Sequence, residues 1–524
     1  MRRNIEAAEE CLKSSCQILY FSEDIHPATD YDHILSTTSD PIPHRWHYPR
    51  SERRHKHNVQ NGGKHKDSHC WSRYDIFDVS FLYNLIASNN ILGMGGLAAA
   101  LSLAKAGHKN ITIYENATNM GFVGAGIQLA PNMARILDKL GCWGPIRDEA
   151  VQCANTSIRE GTTDKELGYV DLGYVREKYG YPHMVGHRAS LANGLYEGCK
   201  KESGITFRLG CNISNVRFGA RPKFTISPSS GQGESTEAEC DVLLGADGVK
   251  SSTRVAMLKE LGHTGAARDS GQAAYRIMLN RDQMENDPEL LKLIESDTVT
   301  RWIGERKHII AYPIHNKQIY NISTAQPDIS FAGAPDAQYT TKGSKKAMLE
   351  VYGDFCPMIH RMLNLVPEGE VVEWKLRVHD PLITWVHGTA ALVGDACHPT
   401  LPHMAQGAAQ AIEDGAVLGV VLSPKRIADG KPQTIEHALR LYEKLRKPRA
   451  EALVELAAEN GREMHLGAGK AKEERDKIFA AMKAGSGKVP DRWADADIQA
   501  RVYGVDVVAE AEELCQKEGL EAKL

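Results

Sequence analysis

The chain has 524 residues, with 63 Lys and Arg against 67 Asp and Glu, a formal net charge of −4, 42% hydrophobic residues and 25% charged ones. These values fit a folded protein of two or three domains, and they exclude a disordered chain, a collagen, or a nucleic-acid binder that relies on a large positive field. No stretch approaches the roughly 18 to 20 apolar residues of a membrane-spanning helix, and the first ten residues lack the apolar core of a secretory signal.

Eleven cysteines without a CxxC pair suggest reduced thiols in an intracellular, cytoplasmic protein without a metal site. Ala522, Lys523 and Leu524 are a relaxed form of a peroxisomal address, which makes peroxisomal import the alternative.

Residues 1–88 are poor in aliphatic periodicity, and the run from His44 to Arg73 is basic and histidine-rich without a recurring ligand spacing. Too little apolar surface is present to offset ordering entropy, so this segment reads as an atypical, disordered extension. The texture changes at Gly93. Between Gly95 and Ala106, Leu97, Ala100, Leu101 and Ala104 fall at helical spacing before Gly107, and Ile111 to Tyr114 then makes a β-branched run ending at Glu115. Glycine turn, helix, strand and acidic residue follow in the order of a βαβ unit.

Gly93 and Gly96 occupy the second and third positions of a GxGxxG fingerprint, but its first position is Ile91, and the strand expected before it, Leu85 to Asn90, is weak. A misplaced exon boundary would account for both. Glu115 lies 22 residues after Gly93, where a carboxylate can accept both hydroxyls of a ribose, so the unit points to an adenine dinucleotide.

Further strands are expected at 241–245, 307–314, 318–323 and 389–394, and helices at 132–140, 191–202, 406–422, 434–458 and 473–484. Strands and helices alternating around a strand-rich middle predict an α/β fold. The nucleotide domain is discontinuous (89–260 and 386–450), a β-rich domain is inserted at 261–385, and a helical tail covers 451–524.

Two later motifs carry chemistry. In D-V-L-L-G-A-D-G-V-K-S-S-T-R, Asp247 and Gly248 follow a strand, at the edge of a parallel sheet where ligands bind. In A-L-V-G-D-A-C-H-P-T-L-P-H-M-A-Q-G-A-A-Q-A-I-E-D-G, Asp395 follows a strand, and Gly407 and Ala408 open a helix that can receive an anion. A plain helix cap is the competing role for either aspartate.

With the glycine turn, these motifs resemble the three signatures of the single-component flavoprotein aromatic hydroxylases, over about residues 91–450. Fungal salicylate hydroxylase-like monooxygenases are the nearest likeness, as V-G-A-G-I-Q-L-A-P-N at 123–132, H-R-A-S-L at 187–191 and A-Y-R-I-M-L at 274–279 also indicate.

The resemblance implies a Rossmann-like FAD-binding domain of the p-hydroxybenzoate hydroxylase type. It places Gly93 and Gly96 under the FAD pyrophosphate, Glu115 on the adenosine ribose, Ala125 and Gly126 near the cofactor, and Arg188 on its phosphates or ribose. Asp247 and Gly248 would lie between the pyrophosphate and a transient NADH or NADPH. Asp395 would reach the ribityl or ribose hydroxyls, and the helix opening at Gly407 and Ala408 would face the flavin pyrimidine edge.

The implied activity is NAD(P)H- and O2-dependent hydroxylation of a phenolic or salicylate-like ring through a flavin C4a-hydroperoxide. Arg276 is the leading group for favouring the phenolate. Strand alternation puts His308, Ile310 and Tyr312 on one side, so that Tyr312 could orient the phenol and His308 relay a proton. His398 and His403 are alternatives. A reductase of the same fold without oxygen activation, or a degenerate flavin-binding protein, are the competing functions.

Overall fold

The computed structural model describes residues 78–83, 93–119, 125–331, 340–483 and 489–520. The basic histidine-rich run, the expected strand at 85–90 and the C-terminal tripeptide lie outside the described residues.

Strand β1 (Asp78–Tyr83), helix α1 (Met94–Ala106) and strand β2 (Asn110–Glu115) form the opening βαβ unit. The Leu and Ala run of α1 is buried along nearly its whole length, and the helix ends at Gly107, whose φ of 116° only glycine adopts without strain. After β3 (Gly126–Leu129), α2 (Pro131–Lys139) and β4 (Met184–His187), the chain returns to the first sheet with β5 (Ile205–Leu209) and β6 (Val242–Gly245).

Helix α3 (Ser252–Glu260) then leads into β7 (Arg268–Asn280), β8 (Thr298–Gly304), β9 (Lys307–Ile314), β10 (Ile319–Pro327) and β11 (Val372–Val378). β12 (Ala390–Leu392) completes the first sheet, which α4 (Gly407–Val421) and α5 (Pro432–Met464) cover.

The first sheet has the order Val386–His387, β12, β6, β1, β2, β5 and is parallel except at its first pair. β1 sits between β2 and β6, so successive crossovers leave in opposite directions there, and a crevice opens at the carboxyl ends of these strands. The second sheet has eight strands, with β11, β7, β10, β9 and β8 consecutive in it.

Two details depart from the sequence reading. The first strand is Asp78–Tyr83, inside the segment assigned to the extension, where it pairs residue for residue with Asn110–Glu115. Residues 155–160 and 166–171, within the segment assigned to the nucleotide domain and not expected as strands, form Asn155–Glu160 and Glu166–Asp171 of the second sheet, because Asn155–Glu160 pairs in parallel with β8. A segment's place in the chain does not choose the sheet it joins.

Helices α1 and α4 pack backbone to backbone through small residues. A Cβ added to Gly415 would stand 2.5 Å from the Ala99 amide nitrogen, and one added to Gly419 would stand 2.8 Å from Ser102 Cβ. This contact sets both helix N-termini beside each other at the crevice. Among the described residues no helix is long and apolar enough to cross a membrane, and the eight cysteines are free.

Candidate active site and cofactor cleft

Glu115 ends one strand, and Asp247 and Asp395 follow two others of the same sheet, so residues far apart in the chain meet along a single edge. Glu115 is fully buried at the end of β2; its Oε1 accepts the Ala117 N–H at 2.8 Å, and its Oε2 has no partner. Burial pushes its pKa up to about 7. Gly93 caps α1, its carbonyl accepting the N–H groups of Gly96 (3.1 Å) and Leu97 (3.2 Å). The first-turn N–H groups of α1 face the same edge.

Asp247 is occupied locally. Its carboxylate accepts from Ser251 Oγ (2.5 Å), Thr253 N–H (3.0 Å) and Thr253 Oγ1 (2.9 Å), so it holds the start of α3 while Gly248, at φ 72°, makes the turn. The buried Arg254 joins this turn to the next motif by donating to the carbonyls of Val249 (2.7 Å) and Ala396 (3.0 Å).

Asp395 projects into the cleft, open to it yet deep in the protein. Loss of bulk solvation raises its carboxyl above the usual carboxylate range, against the pull of His398, Arg188, Arg276 and Arg254. Arg188 opens the helix Arg188–Lys200, and its amide bonds the Ala125 carbonyl at 2.9 Å. Burial lowers its pKa, opposed by Asp395, and its Nε is buried without a partner.

A buried charge network fixes the base of α4. Asp414 accepts from the Gly394 N–H (2.9 Å), His398 Nε2 (2.6 Å) and Arg446 Nε (2.9 Å). Glu413 accepts from Arg446, Arg449 and Asn132 Nδ2, the last at 2.6 Å. Cys397, His398 and Asp414 are the one grouping of ligand-type atoms within 4.8 Å among the described residues. Arg446 already occupies Asp414, and burial raises the Cys397 thiol, so these atoms serve internal bonds.

The other side of the candidate site is one face of the second sheet. Cross-strand pairing aligns Met278, Asn321 and Tyr312 in one row and Arg276, Ser323, Ile310 and Arg301 in the next. His308 pairs with Ala325 in the third row, about 13 Å along β9 from Tyr312 at 3.3 Å per residue. The Gly126 N–H donates to Asn321 Oδ1 at 2.6 Å, and a Cβ on Gly126 would collide with Tyr312 Cε2 at 2.7 Å, so glycine is required for this approach.

Arg276 stacks on Trp374 (5.0 Å) and has no hydrogen bond or ion pair among the described residues. Burial, then Arg188, lower its pKa to about 10, opposed by Tyr312 and Asp395. Tyr312 is raised by burial and stays a neutral phenol.

The structure thus draws Ala125, Gly126, Arg188, Arg276, Tyr312 and Asp395 together, with Glu115, Gly93, Gly96, Gly248, Gly407 and Ala408 along the crevice edge. His308 stands apart. Its Nδ1 bonds His465 Nε2 at 2.6 Å, and its ring packs 5.4 Å from His403, which bonds Gln272 Oε1 at 3.0 Å. Asn321 and Trp374 escape the sequence reading. Alternation along Y-N-I-S-T-A-Q would have put Asn321 on the Tyr312 face only once the register was known.

The FAD binding domain family matches residues 92–457. The FAD-dependent monooxygenase OpS4 of Beauveria bassiana is 30% identical over 80% of this chain and 95% of its own length. 3-Hydroxybenzoate 6-hydroxylase 1 of Aquipseudomonas alcaligenes is 34% identical over 68% of this chain and 85% of its own. A salicylate hydroxylase substrate complex superposes with a TM-score of 0.66 at 21% identity, covering 86% of this chain and 99% of that one.

The residues fit FAD. Glu115 Oε2, Arg188 Nε, Asn132 Oδ1 and Gln406 Nε2 are buried polar atoms without partners, and buried polar atoms otherwise find one. They offer acceptors and donors to a molecule with hydroxyls, phosphates and an amide-like ring.

Proposed function

Since the chain belongs to the FAD binding domain family, we propose that it is an NAD(P)H-dependent monooxygenase that hydroxylates a phenolic or salicylate-like ring with O2. One observation carries this reading: Arg276, on the sheet face beside Tyr312, makes no hydrogen bond or ion pair among the described residues, and Asp395 acts on it only through space. A sequestered guanidinium of this kind calls for an anionic oxygen, and a phenolate or a ring carboxylate supplies it. Hydroxybenzoate hydroxylases among the relatives support the same class.

Bound FAD, reduced by NAD(P)H, supplies the oxygen-activating chemistry. The protein's own groups position the ring. Arg276 favours the ionised phenol, which is the better nucleophile, and Trp374 beneath it keeps the guanidinium on the sheet face. Tyr312, held neutral, donates a hydrogen bond to the substrate oxygen and does not take its proton.

Any proton path through His308 runs away from this point toward His465 at the end of α5. Lys250, after the Asp247–Gly248 turn and beside Arg377, offers charge to the phosphates of the visiting nicotinamide dinucleotide.

The test is an absorption spectrum of the purified protein, then NAD(P)H oxidation with product analysis over simple phenolic acids, including 3-hydroxybenzoate and salicylate. Flavin absorbance and substrate-stimulated, coupled hydroxylation are expected. Arg276→Ala should lower kcat/KM by about 10- to 100-fold, the worth of a charged hydrogen bond, and Arg276→Lys should restore part of it. Unchanged kcat/KM in Arg276→Ala refutes the assignment.

A further inference from the structure

One peptide unit of the candidate site is held at both of its polar ends. The carbonyl of Ala125 accepts the Arg188 N–H at 2.9 Å, and the N–H of the same unit, on Gly126, donates to Asn321 Oδ1 at 2.6 Å. The first bond ties the unit to the start of the helix Arg188–Lys200, and the second reaches 195 residues along the chain to β10 in the second sheet. β3 pairs with β4 alone and is an edge of its small sheet, so the Gly126 N–H needs an acceptor from outside that sheet.

Asn321 is fully buried and stands directly opposite Tyr312 across the β9–β10 ladder. A Cβ on Gly126 would lie 2.4 Å from Asn321 Cγ and 2.7 Å from Tyr312 Cε2, so both side chains rest on the same glycine. Burying an amide on a sheet face costs stability unless it is bonded. Here the Gly126 bond also decides which way the amide points, because Nδ2 has no partner. With no exposed surface, Asn321 acts through what it touches: the peptide unit tied to Arg188 and, beside it, the Tyr312 ring.

We infer that Asn321 is a positioning residue: it holds the Ala125–Gly126 peptide in one orientation and thereby fixes the spacing between Arg188 and Tyr312. Its effect through Tyr312 rests on the reading proposed above, and its effect through Arg188 rests on FAD binding alone. Without the bond the peptide unit is free to turn, and the Tyr312 hydroxyl meets the substrate oxygen off line, which lowers turnover more than binding.

Asn321→Asp keeps an oxygen for the Gly126 N–H, and Asn321→Leu has nearly the same shape without one. Both are made in the full chain, alone and combined with Tyr312→Phe. The measurements are kcat and KM with the phenolic acid that the unaltered protein turns over, and FAD affinity by flavin fluorescence quenching. Asn321→Leu should lower kcat about tenfold with KM within about threefold, and weaken FAD about threefold, while Asn321→Asp restores most of both. The double variant of Asn321→Leu and Tyr312→Phe should lose no more kcat than the worse single one, since the first acts through the second. A role in stability alone would leave kcat of the folded protein unchanged. An unchanged kcat in Asn321→Leu, an equal loss in Asn321→Asp, or losses that multiply in the double variant overturn the inference. If Asn321→Leu does not fold, Asn321→Ser, too short to reach Gly126, takes its place. If the unaltered protein binds FAD but hydroxylates no phenolic acid, the proposed activity fails, and FAD affinity decides this inference: weakened in Asn321→Leu and restored in Asn321→Asp it stands, and equal in all three it falls.

Discussion

Gly415→Ala tests the packing that brings the two cofactor-facing helices together. The new Cβ would lie 2.5 Å from Ala99 N, 2.7 Å from Ala98 C and 2.9 Å from Ala99 Cα. All three are backbone atoms of α1, so no change of rotamer relieves them. Ordinary contact needs about 3.5 Å or more, which requires the helices to separate by about 1 Å.

Overpacking of this kind costs about 3 kcal/mol at the upper end of its usual range, and the better helix propensity of alanine returns about 1 kcal/mol. The net loss is about 2 kcal/mol. Because α1 begins at Gly93 and α4 at Gly407, their separation also displaces both N-termini at the crevice, and FAD affinity falls with stability. Thermal unfolding with and without FAD, together with an FAD titration, measures both effects. Gly144→Ala is the control: it lies in the helix Trp143–Glu149 with nothing but its chain neighbours within 4 Å of an added Cβ, so even ahead of Pro145 it should cost less than Gly415→Ala and leave FAD affinity unchanged. A Gly415→Ala protein as stable and as tight for FAD as the unaltered one refutes the reasoning.

Glu115, with a pKa of about 7, is ionised above that pH and protonated below it. As the carboxylate accepts the ribose hydroxyls, FAD binding should tighten between about pH 6 and 8, and Glu115→Gln should flatten that dependence in a pH series of titrations. In the FAD-free protein the sign is opposite: a folded-state pKa raised from 4.5 contributes stability below 4.5 that is lost as pH rises through about 7. Burial and Arg377 lower Lys250 to about 8, so its charge is present below that pH and lost above it. The KM for NAD(P)H should therefore climb above pH 8, and Lys250→Arg should hold it level. Arg446→Met leaves Glu413 and Asp414 buried with less compensation and should cost about 3 to 5 kcal/mol in urea unfolding.

The cofactor half of this protein was legible because its instructions are local. The spacing Gly93, Gly96, Glu115 describes a turn, a helix and the end of the next strand, and the fall of Leu and Ala between 97 and 104 follows from one helix burying nearly its whole surface. The strand at 307–314 and the alternation that sets Tyr312 on its inner face are equally short-range.

Pairings across long sequence separations are different, because no period in the chain encodes them. Arg301 and Asp491 are 190 residues apart, and Asn155–Glu160 joins its sheet through a partner more than a hundred residues away. Register decided the site's chemistry in the same way: it put Arg276 one row from Tyr312 and left His308 facing His403 and His465. Asp247, whose motif marks a ligand edge, proved to spend its carboxylate on the start of α3. Local pattern chooses the element and its buried face. Which charges end up sharing a desolvated cleft is settled when distant faces pack, since only the assembled tertiary structure excludes water from them.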